Sequence, residues 1–292
     1  MTVRPAPDFL PLRPNRPTDA RPIVVSGATG FIGRHVVPLL LDRGYAVVAL
    51  GRSKEKARQH AWYKHVDFHE IDLLGNSSGF MPLPGSRLMH LAWSDLTDFR
   101  SLSHLETSLP SNYRFIKHMV EHGVQTVLVA GTCLEYGHLC GPIRPETDPQ
   151  PVLPYAAAKN MLHQQLQHLQ HQQNFLLKWV RLFYMYGSGQ NPRSVLAQLD
   201  AAIDRGDSTF RMSGGEQLRD YLPVEDVAAG LVKQLESPGQ GPSHVCSSTP
   251  ISIRRLVEER IRQHGVKMEL ELGYYPYPDY EPMAFWGANN KE

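Results

Sequence analysis

The chain of 292 residues has no excess of one charge: 30 lysines and arginines stand against 29 aspartates and glutamates, a formal net charge of +1. A nucleic-acid surface needs a clear basic excess, so no nucleic acid is expected as a partner. Cysteine is scarce. Cys133, Cys140 and Cys246 are odd in number and scattered, which makes neither a disulfide framework nor a CxxC metal knuckle and leaves a reducing, cytoplasmic setting as the default. No apolar run reaches the roughly 18 residues of a membrane span, so no membrane partner is expected. Metal spacing is missing as well. His163, His168 and His171 lie five and three apart and read as a solvated helix face, and the pair His118 and His122 has no visible third ligand. No metal is expected.

What remains is the composition of an ordinary globular protein, long enough for one large α/β domain or a core domain with a smaller partner. Residues 1–21 stand apart. They are rich in proline and arginine and contain neither a continuous apolar stretch nor a small-residue cleavage site, so they read as an arm or surface strap and not as a secretory signal.

Order is expected to begin at Pro22. Ile23-Val24-Val25 is a β-branched run ended by Ser26-Gly27, the pattern of a fully buried strand. Phe31 to Asp42 reads as a helix that carries Pro38 at some cost, and Tyr45 to Leu50 as a second buried strand. Strand, helix and strand within about 30 residues form a βαβ unit and imply a parallel sheet. The rhythm continues with strands over 65–71, 87–91, 126–130 and 175–183, and helices over 111–122 and 155–173. The expected fold is therefore α/β, a Rossmann-type doubly wound parallel sheet over 22–186. A smaller mixed C-terminal region over 187–292 is expected to bind substrate, with part of the chain after 219 packing back on the core.

Gly27-Ala28-Thr29-Gly30-Phe31-Ile32-Gly33 places three glycines at i, i+3 and i+6 between the first strand and its helix. The first permits the tight turn, the second lets a pyrophosphate approach the backbone, and the third lets helix and strand pack closely. Gly27, Thr29, Gly30, Phe31, Ile32 and Gly33 are the candidate cofactor residues of this turn. After the second strand an Asp or Glu would bind the ribose hydroxyls of NAD. Gly51-Arg52-Ser53-Lys54 stands there instead, and a guanidinium pairs well with a 2′-phosphate. Arg52 and Ser53 thus point to NADP(H), with NAD(H) possible. Tyr155 and Lys159 lie four apart at a helix start and share a face. An ammonium beside the phenol would lower the Tyr pKa and fit it for proton transfer near neutral pH.

Together these motifs resemble the extended short-chain dehydrogenase/reductases of the NAD(P)-dependent epimerase/dehydratase type, which act on nucleotide sugars. The resemblance runs from Ile23 to about Ala228. It implies that Asp72-Leu73 meets the adenine and that His90-Leu91-Ala92 runs along the cofactor. Ala130-Gly131-Thr132-Cys133-Leu134-Glu135-Tyr136-Gly137 resembles the strand with the catalytic Ser or Thr, which makes Thr132 the group that binds the substrate oxygen. Pro154-Tyr155-Ala156-Ala157-Ala158-Lys159 resembles the start of the catalytic helix, with Tyr155 and Lys159 also meeting the cofactor, Lys159 at the nicotinamide ribose. Arg219 in Arg219-Asp220-Tyr221 matches an arginine that commonly meets the diphosphate. Helices near 111–122 and 155–173 often pair with a second copy in this family, so a homodimer is expected.

The departures narrow the chemistry. A 4,6-dehydratase would carry Asp-Glu directly after Thr132, where this chain has Cys133 and Leu134. Relatives that epimerise and reduce a GDP-sugar carry a reactive Cys two positions after the Ser/Thr, whereas Cys133 is one position after. Tyr184 replaces a substrate-side Asn. Trp93, Cys133, Tyr184 and Arg219 are the candidate substrate contacts, although Trp93 and Cys133 also suit a core. The aromatic group Tyr274, Tyr275, Tyr277, Tyr280 and Trp286 suits either a cover for the nucleotide base or packing of the small region. Three outcomes remain, in this order: NADPH-dependent reduction of a nucleoside-diphosphate 4-keto-6-deoxy sugar, 4-epimerisation of a nucleotide sugar, and a non-catalytic dinucleotide sensor.

Overall fold

The computed structural model describes residues 21–75 and 79–288. The expected arm over 1–21 lies, except for Arg21, outside the described residues.

The elements run β1 (Ile23–Ser26), α1 (Gly33–Asp42), β2 (Val47–Gly51), α2 (Lys54–Arg58), β3 (Asp67–Glu70), β4 (Arg87–His90), α3 (Leu109–Glu121), β5 (Thr126–Thr132), β6 (Gly141–Ile143), α4 (Pro154–Gln172), β7 (Leu176–Leu182) and β8 (Tyr184–Tyr186). They continue with α5 (Val195–Arg205), β9 (Thr209–Arg211), β10 (Leu218–Pro223), α6 (Val224–Glu236), β11 (Gly241–Val245), β12 (Pro250–Ser252), α7 (Ile253–His264), β13 (Glu269–Glu271) and β14 (Phe285–Gly287). Seven strands make one sheet in the order β11-β7-β5-β4-β1-β2-β3, and every pair in it is parallel. From β1 the chain steps outward to β2 and β3, then returns to β4 on the other side of β1. That reversal opens a crevice at the carboxyl ends of β1 and β4, the usual ligand position in such sheets.

β5 shows why the sequence folds this way. All seven of its residues are buried, because helices cover both sheet faces and a strand between them must be apolar on both sides. On one face Val36, Val37 and Leu40 of α1 pack with Val227, Leu231 and Leu235 of α6. On the other, Phe115, Ile116 and Met119 of α3 pack with Leu162, Leu166 and Leu169 of α4. Each such side chain contributes about 1.5–3 kcal/mol by leaving water. Two elements after Gly187 serve the main sheet: α6 lies against α1, and β11 extends the sheet beside β7. A separate cluster of Leu196, Leu199, Phe210, Leu256 and Val257 holds α5, α7 and the β9–β13 pair together.

His163 does not follow the sequence expectation of a solvated face. It is buried, with its ring stacked on Trp179 at 4.7 Å between centroids, whereas His168 and His171 are exposed. The α4 stripe of Leu162, Leu166 and Leu169 is wide enough to carry position 163 inward. His118 and His122 give ring nitrogens to the carbonyls of Phe80 and His118, so those nitrogens are already occupied. Among the described residues no group of three or more metal-ligating side chains occurs, and no helix is long and apolar enough to cross a membrane.

Candidate active site

The crevice is a cavity of about 860 Å³, the size range of small-molecule and cofactor sites. The glycine turn forms one wall. Gly27 has φ +73°, and a Cβ there would lie 2.8 Å from the Ala92 nitrogen; on Gly33 it would lie 2.2 Å from the Gly27 carbonyl. Only glycine permits this approach of turn, helix and the Leu91-Ala92 loop. α1 begins without a side-chain cap, so its amino end faces the crevice with backbone donors for an anion. The turn therefore fits the pyrophosphate of a dinucleotide. Thr29, Gly30, Phe31 and Ile32 line the same wall, and Asp72, Leu73, Leu91 and Ala92 line it further along.

Beyond β2 the lining carries Arg34, Arg52, Ser53 and Lys56. Arg52 is exposed, and Ser53 caps α2 by accepting the Lys56 backbone N–H at 3.1 Å. Glu70, at the end of β3, accepts the Lys54 backbone N–H at 2.7 Å and does not line the cavity. Arg34 and Lys56 were not singled out from sequence, because α1 and α2 bring them to this rim only in the folded chain.

Thr132, Tyr155 and Lys159 meet at the opposite wall. β5 delivers Thr132 at its carboxyl end, and the first two turns of α4 carry Tyr155 and Lys159. The Lys159 ammonium donates to the Ala130 carbonyl at 2.8 Å and sits 4.0 Å from the Trp93 ring centroid. Burial pulls its pKa down to about 7, against an upward pull from Glu135. Tyr155 is enclosed by Phe99, stacked at 5.0 Å, and by the edges of Trp93 and His104. Here the structure corrects the sequence reading: the Tyr155 phenol is pushed up, not down. Burial is the main cause, the Glu135 charge adds to it, and only the Thr132 hydroxyl pulls the other way. Sequence spacing shows that Tyr155 and Lys159 share a face, but it does not show that a carbonyl and an indole claim the ammonium.

Below the crevice runs a buried chain that the sequence motifs did not reveal. His90 Nδ1 faces the Ser26 hydroxyl at 2.8 Å, and His90 Nε2 faces Asn112 Oδ1 at 2.7 Å. The Asn112 amide nitrogen donates to the Ser108 carbonyl, so its oxygen accepts and the proton of His90 belongs on Nε2. Burial, then the nearby Lys159, lowers the His90 pKa to about 3. A neutral imidazole thus ties β1, β4 and α3 together under the site.

At the far end Trp93, Cys133 and Tyr184 line the cavity, with Leu134, Phe183 and Glu281. Burial raises the Cys133 thiol well above its ordinary range, which keeps it an unreactive small wall residue. Arg219 is not brought to the wall. It is buried behind Glu281, which accepts from its guanidinium at 2.9 Å and from the Tyr184 hydroxyl. Glu281 lies in an aperiodic segment, and no local signal marks it. Tyr274, Tyr275 and Tyr277 are exposed and line no part of this cavity.

A glycine turn at a helix amino end, joined by one crevice to a buried Thr-Tyr-Lys group, defines a dinucleotide-dependent enzyme of the doubly wound class. The sequence profile described as "NAD dependent epimerase/dehydratase family" matches residues 23–246. The chain belongs to this family of nucleotide-sugar-modifying, NAD-dependent enzymes. It is 32% identical over 276 residues to the dTDP-6-deoxy-L-talose 4-dehydrogenase (NAD(+)) of Aggregatibacter actinomycetemcomitans, covering 91% of this chain and 99% of that one. It is 23% identical to the UDP-glucose 4-epimerase of Halalkalibacterium halodurans, with 85% and 82% covered. Among solved structures, MoeE5 in complex with UDP-glucuronic acid and NAD superposes with a TM-score of 0.78 at 24% identity, over 92% of this chain and 90% of that one.

Proposed function

We propose that this enzyme uses NADPH to reduce the ketone of a nucleoside-diphosphate 4-keto-6-deoxy sugar. The observation that carries the reading is that Thr132, Tyr155 and Lys159 line one crevice with the glycine turn, where the Tyr155 hydroxyl is a proton donor for a carbonyl oxygen. The glycine turn would hold the pyrophosphate, Asp72 and Leu73 the adenine side, Leu91 and Ala92 the middle, and Lys159 the nicotinamide ribose. Arg52 and Ser53, flanked by Arg34 and Lys56, would hold a 2′-phosphate. When bound, the reduced cofactor would supply the hydride for the carbonyl carbon. Thr132 holds the carbonyl oxygen by its hydroxyl, and Tyr155 O–H gives that oxygen its proton as the C–O⁻ charge develops. Trp93, Cys133 and Tyr184 enclose the sugar, while Arg219 acts through Glu281.

The relative named for a 6-deoxy-talose 4-dehydrogenase supports a 6-deoxy sugar and position 4. Its name specifies NAD(+), against which stands the cationic rim at Arg52. The second reading, 4-epimerisation, is favoured by the relatives named as 4-epimerases and would use the same three residues in both directions. A reducing, cytoplasmic setting and a homodimer built on α3 and α4 complete the proposal.

Calorimetry with cofactor-stripped protein separates the two reactions. NADPH is expected to bind at least about tenfold more tightly than NADH, and Arg52→Ala to remove the difference, because a charge-assisted guanidinium–phosphate pair contributes on that scale. Equal binding, or a protein that retains NAD through purification, turns the assignment to the epimerase.

A further inference from the structure

We propose that Glu135 is a positioning residue for this site: its buried carboxylate fixes Thr132 from below and supplies the negative charge that keeps Lys159 an ammonium. The inference rests on the roles given above to Thr132 and Lys159.

Glu135 is fully buried. Its Oε1 accepts the Thr132 backbone N–H at 2.8 Å, closing a reciprocal cap around the turn after β5, because the Thr132 hydroxyl accepts from the Leu134 N–H. The Trp179 indole N–H donates at 3.1 Å and the Arg181 Nε at 2.7 Å. Every one of these partners is a donor. A protonated carboxyl would need an acceptor for its own O–H, and none of the three provides one, so the group is a carboxylate. Room for it comes from Gly131, where a Cβ would lie 2.7 Å from Glu135 Oε1 and 2.5 Å from the Trp179 nitrogen.

Other ionisable groups reach this region from each element around it. Arg181 of β7 pairs with the carboxylate and also donates to the Tyr136 hydroxyl at 3.0 Å. Burial lowers His163 of α4 to about 4 and His244 of β11 to about 3, so both are neutral near pH 7. His90 of β4 is neutral for the same reason, and the Cys133 thiol is held protonated. The Lys159 ammonium is held on the Ala130 carbonyl at 2.8 Å, and the Glu135 carboxylate packs against the next residue, Gly131, so the two charges lie on one stretch of β5; the negative charge of Glu135 favours the protonated form of Lys159 and of Tyr155. Proton donation by Tyr155 and charge on Lys159 depend on the same side chain.

The sign of the test follows. Neutralising Glu135 lowers the Lys159 and Tyr155 pKa values together, so activity is lost at lower pH on the alkaline side. Glu135→Gln leaves Arg181 buried without its partner, which threatens folding; the double variant Glu135→Gln with Arg181→Met removes both charges. In full-length protein labelled at the lysine Cε, the Lys159 resonance is assigned by its loss in Lys159→Arg and titrated. A midpoint lowered by about one pH unit or more in either variant is expected, the scale of a buried neighbouring charge, with the wild-type midpoint restored by Glu135→Asp. The alkaline limb of NADPH oxidation with a dTDP-4-keto-6-deoxyhexose should move by the same amount. An unchanged Lys159 midpoint in the folded variants overturns the proposal, even where kcat falls at every pH. The resonance titrates without turnover, so an inactive substrate panel tests the reductase reading and not this one.

Discussion

Tyr155→Phe lowers the rate of carbonyl reduction by about 10²–10⁴-fold, the range for a lost general acid, while the fold stays as it is. The substitution removes one oxygen. The stack on Phe99 and the edge contacts with Trp93 and His104 involve the ring and survive it, and the Lys159 contacts to Ala130 and Trp93 do not pass through the phenol. The developing oxyanion keeps the Thr132 hydroxyl but loses its proton source. Single-turnover oxidation of bound NADPH measures this directly. A loss under tenfold, or a loss confined to KM, would assign the proton to another group.

Acid should unfold the protein through three buried histidines. His90, His163 and His244 have pKa values lowered to about 3, 4 and 3, in each case first by burial. His90 is held between Ser26 and Asn112, His163 lies on Trp179, and His244 accepts from or donates to the Tyr136 hydroxyl at 2.6 Å. In the unfolded chain each would titrate near 6.5. Their contribution is therefore complete above about pH 6.5 and is lost as pH falls towards the folded values, because the unfolded state binds protons that the native state refuses. With three such sites the slope approaches about 4 kcal/mol per pH unit by linkage, against a total stability of roughly 5–15 kcal/mol for a typical domain. Burial raises the Glu135 and Asp220 carboxyls, which works in the opposite direction and offsets part of this dependence; the histidine contribution is read over about pH 6.5 to 5. Urea unfolding in that window should show uptake of two to three protons, roughly, on unfolding near pH 5. Uptake of less than one proton would mean that these rings are charged in the native state.

The sheet was legible because its signals are local. Ile23–Ser26 and Thr126–Thr132 are strands buried on both faces, and such strands can only be written as continuous apolar runs. The glycine triplet was legible for a similar reason, since a backbone that approaches Ala92 and its own turn so closely admits no Cβ. Tyr155 and Lys159 announced themselves by helical spacing. Strand ends moved by a residue or two: β2 begins at Val47 and not Tyr45, and β5 runs on to Thr132. Hydrogen bonding across the sheet sets those limits, and a single strand does not carry that information.

The residue types of the site and the order of its walls were determined by the sequence alone. Only the tertiary structure decided their chemistry. It took Lys159 to the Ala130 carbonyl and the Trp93 face, buried Tyr155 so that its phenol holds its proton more tightly, and closed Glu281 over Arg219 from more than 60 residues downstream. It also brought α6 and β11 back to the main sheet and put Glu135 beneath the catalytic strand. The physical reason is the same throughout. Helical spacing and glycine conformation act over a few bonds, whereas desolvation and charge act through space, between groups that become neighbours only when the chain has folded.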